Sequence, residues 1–298
     1  MKCGRRALEI LLTFPDIWNV KPRRIRSGSR PGLGYAAAIR GLRSRRRERM
    51  QHKSMARAGN SGGCWAEPLG GCGGGISREH LVSKCVFPDQ SIFVKGLDWC
   101  LNEPKEVRIE TLTAKILCKD HNSELSELDS EAGRAFDAIR DFARTKINRE
   151  KMPYINWASK QLAVDSRKLE RWCLKTLLNF SFGRNLIIGP GTHEPGTVPA
   201  ELARVAFGLE EFAVGRGIYT AFRQRETFNL DDHFNYVAKA HESHLVMGSF
   251  GLCGLRFYLN LFPTEGGALS RIEESDVFYR KTHFNQPIGN SLLRLSII

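Results

Sequence analysis

The periods of apolar and polar residues divide the chain into predicted elements. Between residues 76 and 117 the apolar positions fall in short β-like pieces, Ile76–Val82 and Val107–Leu117, split by an insertion carrying Pro, Asp and Gly. From Asn122 the period changes. Leu125, Leu128, Ala132, Ala135, Phe136, Ile139 and Phe142 recur at steps of three and four, which is the stripe of an amphipathic helix. Glu124, Glu127 and Asp129 load its first turns with negative charge, as suits a helix N-terminus. A second helix is predicted over 166–180, with Leu169, Trp172, Cys173, Thr176 and Leu177 on one stripe and Asp165 as its cap. Gly189–Pro199 reads as a Gly/Pro loop and a candidate boundary, followed by a short helix over 199–208. Beyond it the pattern predicts strands at Ile218–Arg223, Phe234–Ala240, Leu245–Phe250, Leu255–Phe262 and Val277–Lys281. No internal repeat is present. The expected class is α+β.

Length and charge refine this picture. The 298 residues suffice for one large or two ordinary domains. No run of 18 or more apolar residues occurs, so no membrane-spanning helix is expected, and the chain is read as cytoplasmic, without a membrane partner. The net charge of +13 is confined to one end. Residues 1–60 hold 16 of the 45 Lys and Arg but 3 of the 32 Asp and Glu, which leaves the rest with 29 of each sign. A nucleic-acid argument must therefore come from sites, because the overall pI describes a tail. Residues 1–60 are expected to be mostly disordered, being rich in Arg, Gly, Ser and Pro with little apolar surface. They read as a basic phosphate-binding arm, as an organelle transit peptide, or as sequence upstream of a true start at Met50 or Met55. The apolar piece 7–14 is short and carries Glu9, unlike a secretory signal.

The candidate chemistry lies in the cysteines and what surrounds them. Without a secretory signal, the eight cysteines do not imply a disulfide framework. Cys118 and His121 form a C-x₂-H pair at the end of a predicted strand and the start of a helix, a place where two ligands can meet one tetrahedral ion. Cys64 and Cys72, in the glycine-rich stretch 61–75, can supply the other two, although seven residues between them is longer than the usual spacing. The alternative is four ordinary buried side chains, and Cys85 is a spare ligand. A second signal is Ile76-Ser77-Arg78-Glu79-His80-Leu81-Val82, a carboxylate beside a histidine; a third is Leu117-Cys118-Lys119-Asp120-His121-Asn122, followed at once by the helix.

In this order the three signals resemble the HNH (His-Me finger, ββα-metal) endonuclease superfamily, over residues of about 61–145. The resemblance implies a zinc-knuckle or treble-clef ββα-metal core at 61–145, after the tail 1–60 and before a helical, then β-rich, region 146–298 of unassigned role. It implies a structural Zn²⁺ on Cys64, Cys72, Cys118 and His121. It also implies His80 as the base, with Glu79 and Asn122 holding a catalytic Mg²⁺ or other divalent ion, and backbone N–H groups of the following helix turned to the scissile phosphate. Imidazole suits the role of base because it titrates near neutral pH. The expected activity is hydrolysis of a nucleic-acid phosphodiester, DNA ahead of RNA, with 146–298 open to a protein partner. The alternative is a non-catalytic zinc-binding module for nucleic acid or protein.

Two departures bear on catalysis. Relatives often carry Asn five residues before the strand-end cysteine, where Thr113 stands here, with Asn102 as a substitute from the insertion. His121 takes the place of a usual cysteine and is open to either metal. Elsewhere, His241 and His244 lack the i, i+4 spacing of a zinc protease, and Gly189-Pro190-Gly191 lacks the Lys-Ser/Thr of a phosphate loop. The aromatics Phe228, Phe234, Tyr236, Phe250, Phe257, Tyr258 and Phe262 read as a sheet core rather than a base-stacking platform.

Overall fold

The structure, a computed structural model, describes residues 7–13, 63–95, 97, 99–100, 103–182, 186–189, 194–222, 228–230, 234–241, 244–262 and 276–298. In chain order the first elements are β1 (Ala7–Thr13), β2 (Ile76–His80), β3 (Ser91–Lys95), β4 (Lys105–Arg108), β5 (Thr113–Cys118), α1 (Lys119–Glu124), α2 (Ser126–Lys151), β6 (Lys160–Val164) and α3 (Ser166–Phe182). There follow β7 (Ile187–Ile188), α4 (Ala200–Ala206), β8 (Gly217–Phe222), β9 (Asn235–His241), β10 (His244–Leu252), β11 (Leu255–Asn260), β12 (Asp276–Tyr279), β13 (Thr282–Ile288) and β14 (Ser291–Ile297). The fold is mixed α+β, with few helices and many strands.

Three sheets are formed among the described residues. A mixed sheet runs β12-β8-β11-β10-β9-β1-β3-β4, with β7 paired to β10; β13-β14-β6 form a second; β2 and β5 form an antiparallel hairpin. The insertion between β2 and β5 supplies β3 and β4, which join the large sheet. Ala7–Thr13, the apolar piece within the basic stretch, pairs in parallel with both β3 and β9. The expectation of a disordered tail therefore does not extend to this strand, and the other residues of 1–62 lie outside the described ones.

The helix α3 organises the interior. It is buried almost all round, including Glu170, Lys175, Asn179 and Ser181. Buried polar groups need partners, and these four have them. Glu170 accepts from Arg280 and from the Ile218 amide, Lys175 meets Glu79 and Asp129, Asn179 bridges Trp65 and the His80 carbonyl, and Ser181 donates to Leu177. Trp172 lies at the centre of an aromatic cluster with Phe136, Phe234 and Phe250, ring centroids 5.1–6.1 Å from it. The core is continuous from Cys64 to Ile297, and position 145, read as a boundary, falls inside α2. Phe228, Phe234, Tyr236, Phe250 and Phe257 are buried in it, Phe262 packs against it, and Tyr258 is buried in a separate small cluster with Ala221, Val246 and Met247, so the sheet-core reading of these aromatics holds.

Local differences from the predicted elements have local causes. The single strand expected over Val107–Leu117 is broken by a one-turn helix at Ile109–Thr111, where the Thr111 hydroxyl donates to the Arg108 carbonyl at 2.7 Å and both Ile109 and Leu112 turn inward. The helix expected from Asn122 begins earlier, as α1, and is interrupted at Leu125 before α2. Asp165 caps α3 as predicted, accepting from the Arg167 and Lys168 amides at 3.0 Å each. No helix among the described residues is long and apolar enough to cross a membrane.

Candidate metal centre

The centre is assembled from two turns. Cys64 is anchored by its neighbour Trp65, whose amide donates to the Ile116 carbonyl at 2.9 Å and whose indole donates to Asn179 at 3.0 Å. The chain then makes a single helical turn, Glu67–Leu69, and returns through the glycine run bearing Cys72. That run must lie flat on the start of α1. Gly74 has φ +68° and a Cβ there would sit 2.9 Å from the Lys119 Cβ, while a Cβ on Gly73 would strike the Asp120 carboxylate. The second turn is the β5–α1 junction. Cys118 ends β5 and caps α1, its sulfur accepting from the His121 amide at 3.4 Å.

These turns bring four ligand atoms together. The Cys64, Cys72 and Cys118 sulfurs lie 3.4, 3.6 and 3.2 Å from His121 Nδ1, and all four donor atoms fall within 4.8 Å of one another. Tetrahedral bonds of ~2.3 Å to sulfur and ~2.1 Å to nitrogen place such a pair about 3.6 Å apart. The donor set and its spacing therefore fit a metal ion such as zinc, with His121 ligating through Nδ1 and carrying its proton on Nε2. Cys64, Cys118 and His121 are buried and Cys72 is exposed. Phe207, at the end of α4, walls the site edge-on, 5.2 Å from the His121 ring and 5.8 Å from Trp65.

The electrostatics agree with a cation. Burial pushes Cys64 up; desolvation and the neighbouring Cys64 and Cys118 sulfurs push Cys72 up to about 12. Burial also opposes ionisation of Cys118, but backbone N–H groups of His121 and Gly73 donate to its sulfur and hold it below the ordinary thiol value. Three adjacent thiols cannot ionise together without a positive partner, and a bound dication reverses that penalty.

The other expected site residues are placed as follows. Glu79 is buried, and its Oε1 lies 2.7 Å from Lys175 Nζ. Burial pushes its carboxyl above the usual range, against the pull of Lys175. His80, the next residue of an extended strand, lies on the opposite side of β2, directly across from Thr113 in the ladder. Its Nε2 is buried and has no hydrogen-bond partner. Asn122 donates to Ser77 Oγ at 3.1 Å. Glu79 is thus engaged by Lys175, and Asn122 holds Ser77 through its amide nitrogen. Among the described residues, the Cys₃His group is the one cluster of three or more such side chains able to hold a metal. Cys85 is not part of it; its thiol donates to the Asp129 carbonyl at 2.6 Å. Asn102, His193, Glu242 and Ser243 lie outside the described residues.

Sequence reasoning missed Lys175, Asp129 and Asn179. The available signal was weak: Lys175 and Asn179 are polar residues four apart in the largely apolar second half of α3. Comparison with protein-family models, curated proteins and solved structures returns no match for this chain.

Proposed function

We propose that this chain is an HNH-type nucleic-acid endonuclease, with DNA as its substrate, in which a structural zinc ion holds a treble-clef-like ββα unit and His80 is the general base. The observation that carries the reading is the ligand set. One ion on Cys64, Cys72, Cys118 and His121 would tie the turn before β2 to the β5–α1 junction, fixing both strands and the helix start. Four protein ligands leave such an ion no open position, so its role is structural. The unpartnered Nε2 of His80 supports the assignment of the base, with Thr113, where relatives carry Asn, across the ladder from it. In this chemistry His80 takes a proton from water, the water oxygen bonds to phosphorus, and the bond to the leaving oxygen breaks.

A second reading, a non-catalytic zinc module that grips nucleic acid or a protein partner, is favoured by the engagement of Glu79 with Lys175. The two are separated with zinc-loaded full-length protein and supercoiled plasmid, with and without added Mg²⁺. Cleavage lost in His80→Ala, with DNA retardation retained, supports the endonuclease. Retardation without cleavage by the parent chain overturns it in favour of the second reading.

A further inference from the structure

The expected divalent-ion site at Glu79 already contains a positive charge. Lys175 Nζ lies 2.7 Å from Glu79 Oε1, and 2.7 and 2.9 Å from Asp129 Oδ1 and Oδ2. The Lys175 and Glu79 side chains are 1% and 6% exposed, and Asp129 is 28% exposed. The cluster is held from outside as well. Ser83 donates to Asp129 Oδ1 at 2.5 Å and accepts from the Trp172 indole at 2.8 Å, and the Cys85 thiol holds the Asp129 carbonyl. Three carboxylate oxygens converging on one buried cation is the arrangement a metal would otherwise occupy. Adding a dication beside the ammonium would set like charges against each other in a desolvated site.

We infer that Lys175 is the resident cation of this site, an internal ammonium that takes the place of a divalent ion and locks Glu79, and with it β2 and His80, onto α2 and α3. Lys175 and Glu79 are then positioning residues, and Glu79 is not a metal ligand. This goes beyond the function proposed above and holds whether or not the chain cleaves nucleic acid.

The test is Mn²⁺ binding to zinc-loaded full-length protein, read from the free-Mn²⁺ electron paramagnetic resonance signal. The parent chain and Glu79→Gln are expected to give the same isotherm. Lys175→Ala, which empties the seat between two carboxylates, is expected to gain one Mn²⁺ per chain, lost again when Glu79→Gln is added. A parent chain that binds Mn²⁺ in a Glu79-dependent way overturns the inference, as does a folded Lys175→Ala that gains no ion. If Lys175→Ala does not fold, the parent and Glu79→Gln isotherms decide alone. Plasmid cleavage is a separate readout, so loss of the nuclease reading leaves this result unaffected.

Discussion

Cys118 serves two purposes: its sulfur caps α1 and also enters the ligand cluster. Cys72 has only the second, being exposed at the tip of the glycine run. Cys72→Ala therefore isolates the ligand role from packing. It is expected to leave the metal-free fold intact and to lower zinc affinity by at least about tenfold, as a competition titration with a chromogenic chelator would measure. Acid should do the same to the parent chain. Cys64 and Cys72 both lie above the ordinary thiol value without metal, so at neutral pH binding expels at least their two protons. Affinity should then fall by at least about a hundredfold for each unit the pH is lowered; a pH-independent affinity would exclude these thiols as ligands. Gly74→Ala tests the turn that delivers Cys72. With φ +68° and the Lys119 Cβ in the way, it should cost about 1–3 kcal/mol in denaturant unfolding of the zinc-loaded protein.

Among the elements, those whose signals are local were the ones legible beforehand. Asp165 announced α3 because an N-cap acts on amides two and three residues on, and Asp165→Ala should cost about 1 kcal/mol of stability by chemical denaturation. Likewise Cys118-x-x-His121 was legible because a strand end and one helical turn suffice to converge two ligands. The metal cluster could be read to that extent, with Cys64 and Cys72 completing it across a turn that only the glycines foretold. The rest depended on distant partners. Glu79 looked like half of a catalytic pair because its neighbour is a histidine, yet its environment is set by Lys175 on α3 and Asp129 on α2. The strand β1 was hidden for the same reason, since seven residues within an Arg-rich stretch become a strand only through pairing with β3 and β9.

In the whole molecule, α3 makes the hairpin and the C-terminal sheets interdependent. Viewed from sequence, residues 61–145 looked like a separable metal-bound unit, small enough to need its ion as a staple. In the structure that unit is closed by groups outside it. Asn179 satisfies both the Trp65 indole and the His80 carbonyl, Lys175 pairs with both Glu79 and Asp129, and the Trp172 indole completes Ser83. Cutting the chain after Lys151 removes all three at once. It leaves two carboxylates without their buried cation and the apolar face of α2 without its cover, including Phe136 and Ile139. Breaking one buried ion pair alone costs about 3–5 kcal/mol, a large part of the ~5–15 kcal/mol that holds an ordinary domain together. The fragment ending at Lys151 is therefore expected to give collapsed, poorly dispersed proton–nitrogen NMR spectra even with one equivalent of Zn²⁺, while the full chain unfolds in one cooperative step. A fragment that takes up zinc and shows a dispersed native spectrum would mean that the metal, and not α3, is the dominant constraint on the hairpin.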